Sequence, residues 1–237
     1  MDVKEQDILG DAIAQHWYYK AKASYLSHYL QGREYTRILD VGAGSGFFSR
    51  HLLNTTSATE ALCVDPFYDK EWDDVEGNKP IQFRRNADGF DADLVLMMDV
   101  LEHVDDDVGL LNQYFAHAPS GTLALITVPA FSFLWSGHDV FLEHRRRYTL
   151  TSLCNVVAGA ELDVEQISYG FGAVFPLAAT TRLVGRMTGD KDEPKSDLKI
   201  HHPLVNATLG MLCTLDHPVL SFNKLAGLSV FCLARKR

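Results

Sequence analysis

The four cysteines, Cys63, Cys154, Cys213 and Cys232, form no C-x-x-C pair, and no histidine stands at zinc-finger spacing from them. That argues against a zinc module or a dithiol redox site. Cys63 and Cys232 lie in apolar runs and read as small core residues of a reducing compartment. Basic charge is scarce too. The chain has 22 Lys+Arg against 31 Asp+Glu, a formal net charge of −9, which disfavours a protein whose main task is gripping nucleic-acid phosphates. No apolar stretch reaches the ~20 residues of a membrane span. The opening MDVKEQDILGD is acidic and has no apolar core, so no signal peptide is read there and a cytoplasmic location is expected. Internal repeats and low-complexity tracts are absent.

What is present fits one domain, residues 1–237. At 46% hydrophobic residues the chain can bury a sizeable core with an appendage. Apolar positions Ile8, Ala12, Trp17, Ala21, Tyr25 and Tyr29 recur at helical steps and predict a helix over 5–31, with 1–34 forming a cap. Short apolar runs follow at 37–41, 61–65, 81–85, 92–100 and 122–128, separated by helical candidates such as 105–118. Near-continuous apolar strands alternating with helices predict an α/β fold, a Rossmann-like, mostly parallel sheet with helices on both faces. A helix at 151–158 and strands at 162–169 and 228–235 close the chain. Between the last two strands, residues 171–227 read as a helical insertion, with helices at 171–188 and 204–215.

The central motif is Asp40-Val-Gly42-Ala43-Gly44-Ser45-Gly46, a Gly-rich turn joining a strand to a helix. Such a turn lets backbone approach a ligand and aims helix N–H groups at it. Its G-x-G-x-G spacing differs from the G-x-G-x-x-G that seats a pyrophosphate. Asp40 would repel a pyrophosphate yet bind an ammonium. Asp65, ending the second strand, can accept from both hydroxyls of a ribose. Asp88, after the third strand, is placed to meet an adenine amino group.

ILDVGAGSGFFS, CVDP, NADGFDADLVLMMDVLEHV and SGTLALITVPA, in that order, resemble the motifs of class I S-adenosylmethionine-dependent methyltransferases. The resemblance implies seven strands in the order 3-2-1-4-5-7-6, with the last antiparallel. It places Asp40, Gly42, Ala43, Gly44 and Gly46 at the methionine part of the cofactor. Asp65 with Pro66 would meet the ribose and Ala87 with Asp88 the adenine, while Met98, Asp99 and Leu101 border it after the fourth strand. The cofactor implied is S-adenosyl-L-methionine, with S-adenosyl-L-homocysteine as product. Rivals from other classes are a cofactor-binding, non-catalytic partner protein and a nicotinamide-dependent oxidoreductase. The latter lacks both the dinucleotide spacing and a Tyr-x-x-x-Lys dyad.

His16-Trp17-Tyr18-Tyr19-Lys20-Ala21-Lys22 and the His138-to-Thr149 segment resemble the H-W-W-F-x-x-R and H-D-x-x-x-x-H-x-R-R-Y-T motifs of a bacterial small-molecule subgroup, often associated with glycan or lipid-linked sugars. Tyr18 and Lys22 depart from its aromatic and Arg. The resemblance implies that the N-terminal helix folds over the cofactor, with Lys22 at the methionine carboxylate and Tyr19 over the sulfonium. Ligands of open α/β sheets bind beyond the carboxyl ends of strands, so His16, Phe131, Trp135, Arg147 and Tyr148 are the expected acceptor contacts. His138 and His144 are the expected bases for an acceptor hydroxyl, with His103 third, and no metal ligand set is expected. The acceptor is expected to be a small molecule, glycan or lipid-linked compound. For the insertion, a cap, a dimer interface and a membrane-resting patch compete, and the cap is favoured.

Overall fold

Strand β1 (Arg37–Val41) sends alternate side chains to opposite faces, and nearly all are buried. Ile38 joins one apolar core and Leu39 and Val41 the other. That is the signature of a parallel strand covered on both sides. The structure, a computed structural model, describes residues 8–87, 89–187, 196–197 and 199–237. Beyond β1 its strands are β2 (Glu60–Val64), β3 (Trp72–Glu76), β4 (Lys79–Arg84), β5 (Leu94–Met98), β6 (Leu123–Pro129), β7 (Leu162–Gly170) and β8 (Ser229–Lys236). Its α-helices are α1 (Trp17–Tyr29), α2 (Phe47–Thr55), α3 (Asp107–Phe115), α4 (Gly137–Phe141), α5 (Leu150–Gly159), α6 (Phe175–Met187) and α7 (Pro203–Thr214). Helices α1, α2 and α7 contribute to the first core, and α3 and α5 to the second.

The sheet order is β3-β4-β2-β1-β5-β6-β8-β7, eight strands instead of the expected seven. The class is as expected, while the count and order differ because of β3, an edge strand antiparallel to β4. It is polar, and its signal is a Gly77-Asn78 turn, both residues at positive φ (56° and 69°), which suits a tight hairpin. Trp72 of β3 stacks on Phe83 of β4, ring centroids 4.2 Å apart. At the other edge, β8 runs antiparallel to both β6 and β7.

The single helix expected over 5–31 is broken. A 3-10 turn at Gly10–Gln15 precedes α1, and extended His16 caps the new helix by accepting from the Tyr18 amide at 3.3 Å. In the insertion, α6 starts at Phe175, not at 171, because Phe171 takes a positive φ of 62° that a helix cannot continue. No helix among the described residues is long and apolar enough to cross a membrane.

Candidate active site

The carboxyl ends of β1, β2, β5 and β6 carry the polar groups. At the end of β1 the chain turns through Gly42, Gly44 and Gly46, with φ of 65°, 52° and 69°. A Cβ on Gly42 would stand 2.8 Å from Val100 Cγ2, and one on Gly46 2.9 Å from the Phe83 ring, so both turns need glycine. Ala43 is buried between them, and its amide and that of Gly42 donate to the Val64 carbonyl. Asp40 is 1% exposed; Ser49 donates to its Oδ2 at 2.8 Å, while Oδ1 has no partner. Burial pushes its carboxyl up to about 6. Asp65 accepts from the Gly44 amide at 3.3 Å and from the Phe67 amide at 3.0 Å, tying β2 to the loop. Tyr68 donates to the Gly44 carbonyl at 2.6 Å. Pro66 is exposed and Ala87 half-buried; Asp88 lies outside the described residues.

Asp99, just past β5, sits at a φ of 56°, a conformation that costs a non-glycine residue roughly 1–3 kcal/mol and is found mostly at functional sites. Thr127 donates to its Oδ1 at 3.0 Å, Tyr18 to Oδ2 at 3.3 Å, and Lys22 pairs with Oδ2. Lys22 is fully buried. Burial alone would draw its ammonium down, but Asp99 and Tyr18 outweigh that and hold it well above the ordinary value. Asp99 is held below the usual carboxylate range, its burial being overcome by Lys22. Helix α1 thus brings Lys22 onto the carboxylate of Asp99. Tyr19 is buried against His16, Phe47 and Phe48. Met98 and Leu101 are buried core residues flanking Asp99.

Beyond β6 the H-D-…-H-R-R-R-Y segment folds into a tight polar knot around Asp139. This carboxylate is wholly buried and accepts from Arg147 Nε at 2.7 Å and Nη2 at 2.9 Å, from the Ser136 amide at 2.8 Å, and from His144 Nδ1 at 3.0 Å. These donors, against the opposing effect of burial, hold it far below the usual range. Since a carboxylate only accepts, His144 Nδ1 carries the proton and Nε2 is the basic nitrogen. Arg147 also donates to the Ala130 carbonyl at 3.0 Å. Tyr148 is buried and donates to Asp107 at 2.9 Å and to the Leu101 carbonyl at 3.1 Å. Both side chains are committed to scaffold bonds. His138 accepts through Nδ1 from the Asp197 amide at 3.2 Å, and burial, helped by His144 and Arg182 and opposed by Asp197 and Asp139, brings it down to about 4. Phe131, at a φ of 57°, stacks on Tyr169 at 4.7 Å. Trp135, four residues on, is half-buried, and the His16 and His201 ring centroids lie 5.6 Å apart.

Sequence reasoning gave no individual role to Glu102, Asp139 or Thr127 and noted Tyr18 only as a departure from the motif. Glu102 is completely buried and neither carboxylate oxygen has a hydrogen-bond partner; burial, reinforced by Asp99, raises it well above the ordinary value. The E-H-V run was its only signal.

The profile of a family described as "Methyltransferase domain" matches residues 14–167. A candidate methyltransferase from Bacillus halodurans superposes at a TM-score of 0.56 and 11% identity, over 91% of this chain and 99% of that one. A SAM-dependent methyltransferase from Archaeoglobus fulgidus gives 0.52 and 15%, over 92% and 94%. The plantazolicin methyltransferase BamL, solved with a triazolic desmethylPZN analog and SAH, gives 0.54 and 10%, over 98% and 88%. At such identities these likenesses concern the fold. No curated protein sequence matches the chain.

Proposed function

The chain belongs to the methyltransferase-domain family, and from that premise we propose that it binds S-adenosyl-L-methionine in the Gly42–Gly46 cradle and methylates an oxygen or nitrogen of a small-molecule, glycan or lipid-linked acceptor. The observation that carries the reading is Asp40, whose buried Oδ1 has no protein partner and lies beside three glycines at positive φ. An ammonium group is the partner such an atom calls for. Asp65 would hold the ribose hydroxyls, and Pro66, Ala87 and Asp88 would border the adenosine. Met98, Asp99 and Leu101 would wall the methionine end, with Ala43 beneath and Tyr18, Tyr19 and Lys22 closing it from α1. The bound cofactor supplies a methyl group already activated for in-line displacement.

The protein's work is to align the acceptor, exclude water and manage a proton. Of the two expected bases, His144 is the better oriented, since Asp139 fixes its tautomer. His138 is lowered and engaged with the Asp197 backbone, which suits a structural member of the wall. Phe131, Trp135 and His16 are the acceptor contacts that fit. Arg147 and Tyr148 act through the loop they hold. We take residues 1–34 as the cap and 171–227 as an insertion enclosing the acceptor. Exposed Leu204, Met211 and Leu215 line one face of α7, which supports an apolar acceptor, a membrane surface or a second copy as its neighbour. Calorimetry with S-adenosylhomocysteine and NADH tests the cofactor: the first should bind 1:1 and the second should not. Release of S-adenosylhomocysteine across an acceptor panel then identifies the substrate. Vesicle flotation and the sedimentation mass distinguish a membrane contact from a dimer.

A further inference from the structure

Two segments far apart in sequence meet at the rim of this site. Glu102 and His103 follow β5, and His144 belongs to the knot after β6. One ligand atom from each comes within 4.8 Å of the others. The His103 and His144 rings meet edge to face, centroids 4.8 Å apart. Three features separate this cluster from an ordinary polar surface. Glu102 is wholly buried, yet both its oxygens lack a hydrogen-bond partner, an arrangement that an interior tolerates only with a counterpart. His103 is half-buried and the His144 side chain is only 6% exposed, so the cluster lies just beneath the surface. His144 Nδ1 is held by Asp139, leaving Nε2 as the ligating nitrogen, which is the carboxylate–histidine support that metal-binding imidazoles commonly have.

We propose that Glu102, His103 and His144 bind a divalent transition-metal ion of the zinc, manganese or iron(II) type. Two imidazoles and one carboxylate favour these ions over magnesium or calcium, which prefer all-oxygen shells. Bonds of about 2.1 Å to a tetrahedral ion bring ligand atoms to roughly 3.4 Å from one another, a separation within reach of atoms that already lie within 4.8 Å. Three protein ligands leave a position open, as in catalytic sites. An acceptor hydroxyl occupying it would be acidified by the ion and would lose its proton to solvent water as the methyl group arrives, with His144 ligating instead of taking the proton itself. This last step rests on the methyltransferase reading, whereas metal binding does not. Arg145, whose amide and guanidinium donate to the Glu102 and His103 carbonyls, pairs with Asp105, as Arg147 does with Asp139 and Lys22 with Asp99, so each of these cations is already matched by a carboxylate.

The test uses the full chain, stripped with chelator. Zinc calorimetry should show one site per chain with micromolar or tighter affinity, and cobalt(II) should give a visible d–d absorption band. Glu102→Gln, which relieves a buried charge and should fold, and His144→Ala should each weaken binding at least 50-fold and abolish the band. His201→Ala should leave both unchanged. His103→Asn with a melting curve covers the case where His144→Ala fails to fold. Absence of a 1:1 site in the wild type, or wild-type binding in Glu102→Gln and His103→Asn, overturns the proposal. S-adenosylhomocysteine titrated into the same samples reads the cofactor site separately, and failure there would sink the methyltransferase reading without touching the metal.

Discussion

Asp40 is a carboxylate kept where ionisation is costly. Its folded value is raised to about 6 from an unfolded 3.8, so the folded state holds the extra proton between those values. Its stabilising contribution is complete below pH 3.8 and is lost as pH rises through about 6. Asp40→Asn should therefore raise stability at pH 7.5 by up to about 3 kcal/mol, with little gain at pH 4, while S-adenosylhomocysteine affinity falls at least tenfold. Urea melts at the two pH values and calorimetry read both; a variant no more stable at 7.5 would contradict the burial argument. Asp65→Ala loses the ribose acceptors and frees the Gly44 and Phe67 amides, so calorimetry should show a loss of roughly 1.5–3 kcal/mol in cofactor binding. His138 is the opposite titration. Lowered to about 4 by burial, it adds stability that is complete above pH 6.5 and drains away as pH falls toward 4. His138→Asn should flatten that acid limb and spare turnover, whereas His144→Ala should cut turnover on a verified acceptor by 10²-fold or more. Equal losses in both would return His138 to the chemistry.

At the level of elements, β1 was legible to the residue because a five-residue apolar run ends in a glycine turn, and both signals are local. Edge strand β3 was not, since its residues face solvent and only the Gly77-Asn78 turn marks it. The break in the N-terminal helix was hidden for a different reason. His16 has no sequence feature that forbids helix, and the Trp17 amide is instead taken by Asn206, 189 residues away. The positions of Asp40, Asp65 and Asp99 were legible because Asp40 is the penultimate residue of β1 and the other two directly follow β2 and β5. The joining of Glu102 to His144 was not, because it depends on the loop after β6 folding back along β5, where the Arg145 amide donates to the Glu102 carbonyl at 2.7 Å. Glycine gives the matching prediction. Gly46→Ala puts a Cβ at a φ of 69°, 2.9 Å from Phe83 and 3.2 Å from Cys63 Sγ, so denaturant unfolding should register a loss of about 2–4 kcal/mol. Gly185→Ala, in α6 with nothing within 4 Å of the added carbon, should instead gain about 0.5–1 kcal/mol. Similar values for the two would mean that the cradle is not under conformational constraint.

Across the whole molecule, the insertion and the N-terminal helix hold each other. Tyr25 of α1 donates to Asp216 Oδ2 at 2.7 Å and to the Cys213 carbonyl at 2.9 Å, and Asp216 Oδ1 accepts from the Ala173 amide at 2.9 Å. Asp216 is 5% exposed and Tyr25 is fully buried, so the Tyr25 hydroxyl could not turn to water if the carboxylate were removed. Asn206 adds a second tie, accepting from the Trp17 amide and donating to the Gln15 carbonyl, both at 2.9 Å. Ser24–His217 at 3.0 Å and His28–Ser221 at 2.9 Å continue the seam. The same α1 carries Lys22 and Tyr18 to Asp99, so the seating of α7 and the proposed wall of the cofactor site are mechanically one unit. Asp216→Ala deprives the Ala173 amide of its acceptor and leaves Tyr25 only the Cys213 carbonyl, and should cost about 1–3 kcal/mol. Hydrogen exchange should locate the loss: amides of α1 and α7 should exchange ahead of those in β1 and β5, because the sheet does not depend on this carboxylate. Cofactor affinity should fall together with α1 protection, since Lys22 and Tyr18 are placed by that helix. Normal α1 protection alongside weakened binding would show that the insertion reaches the cofactor by another route.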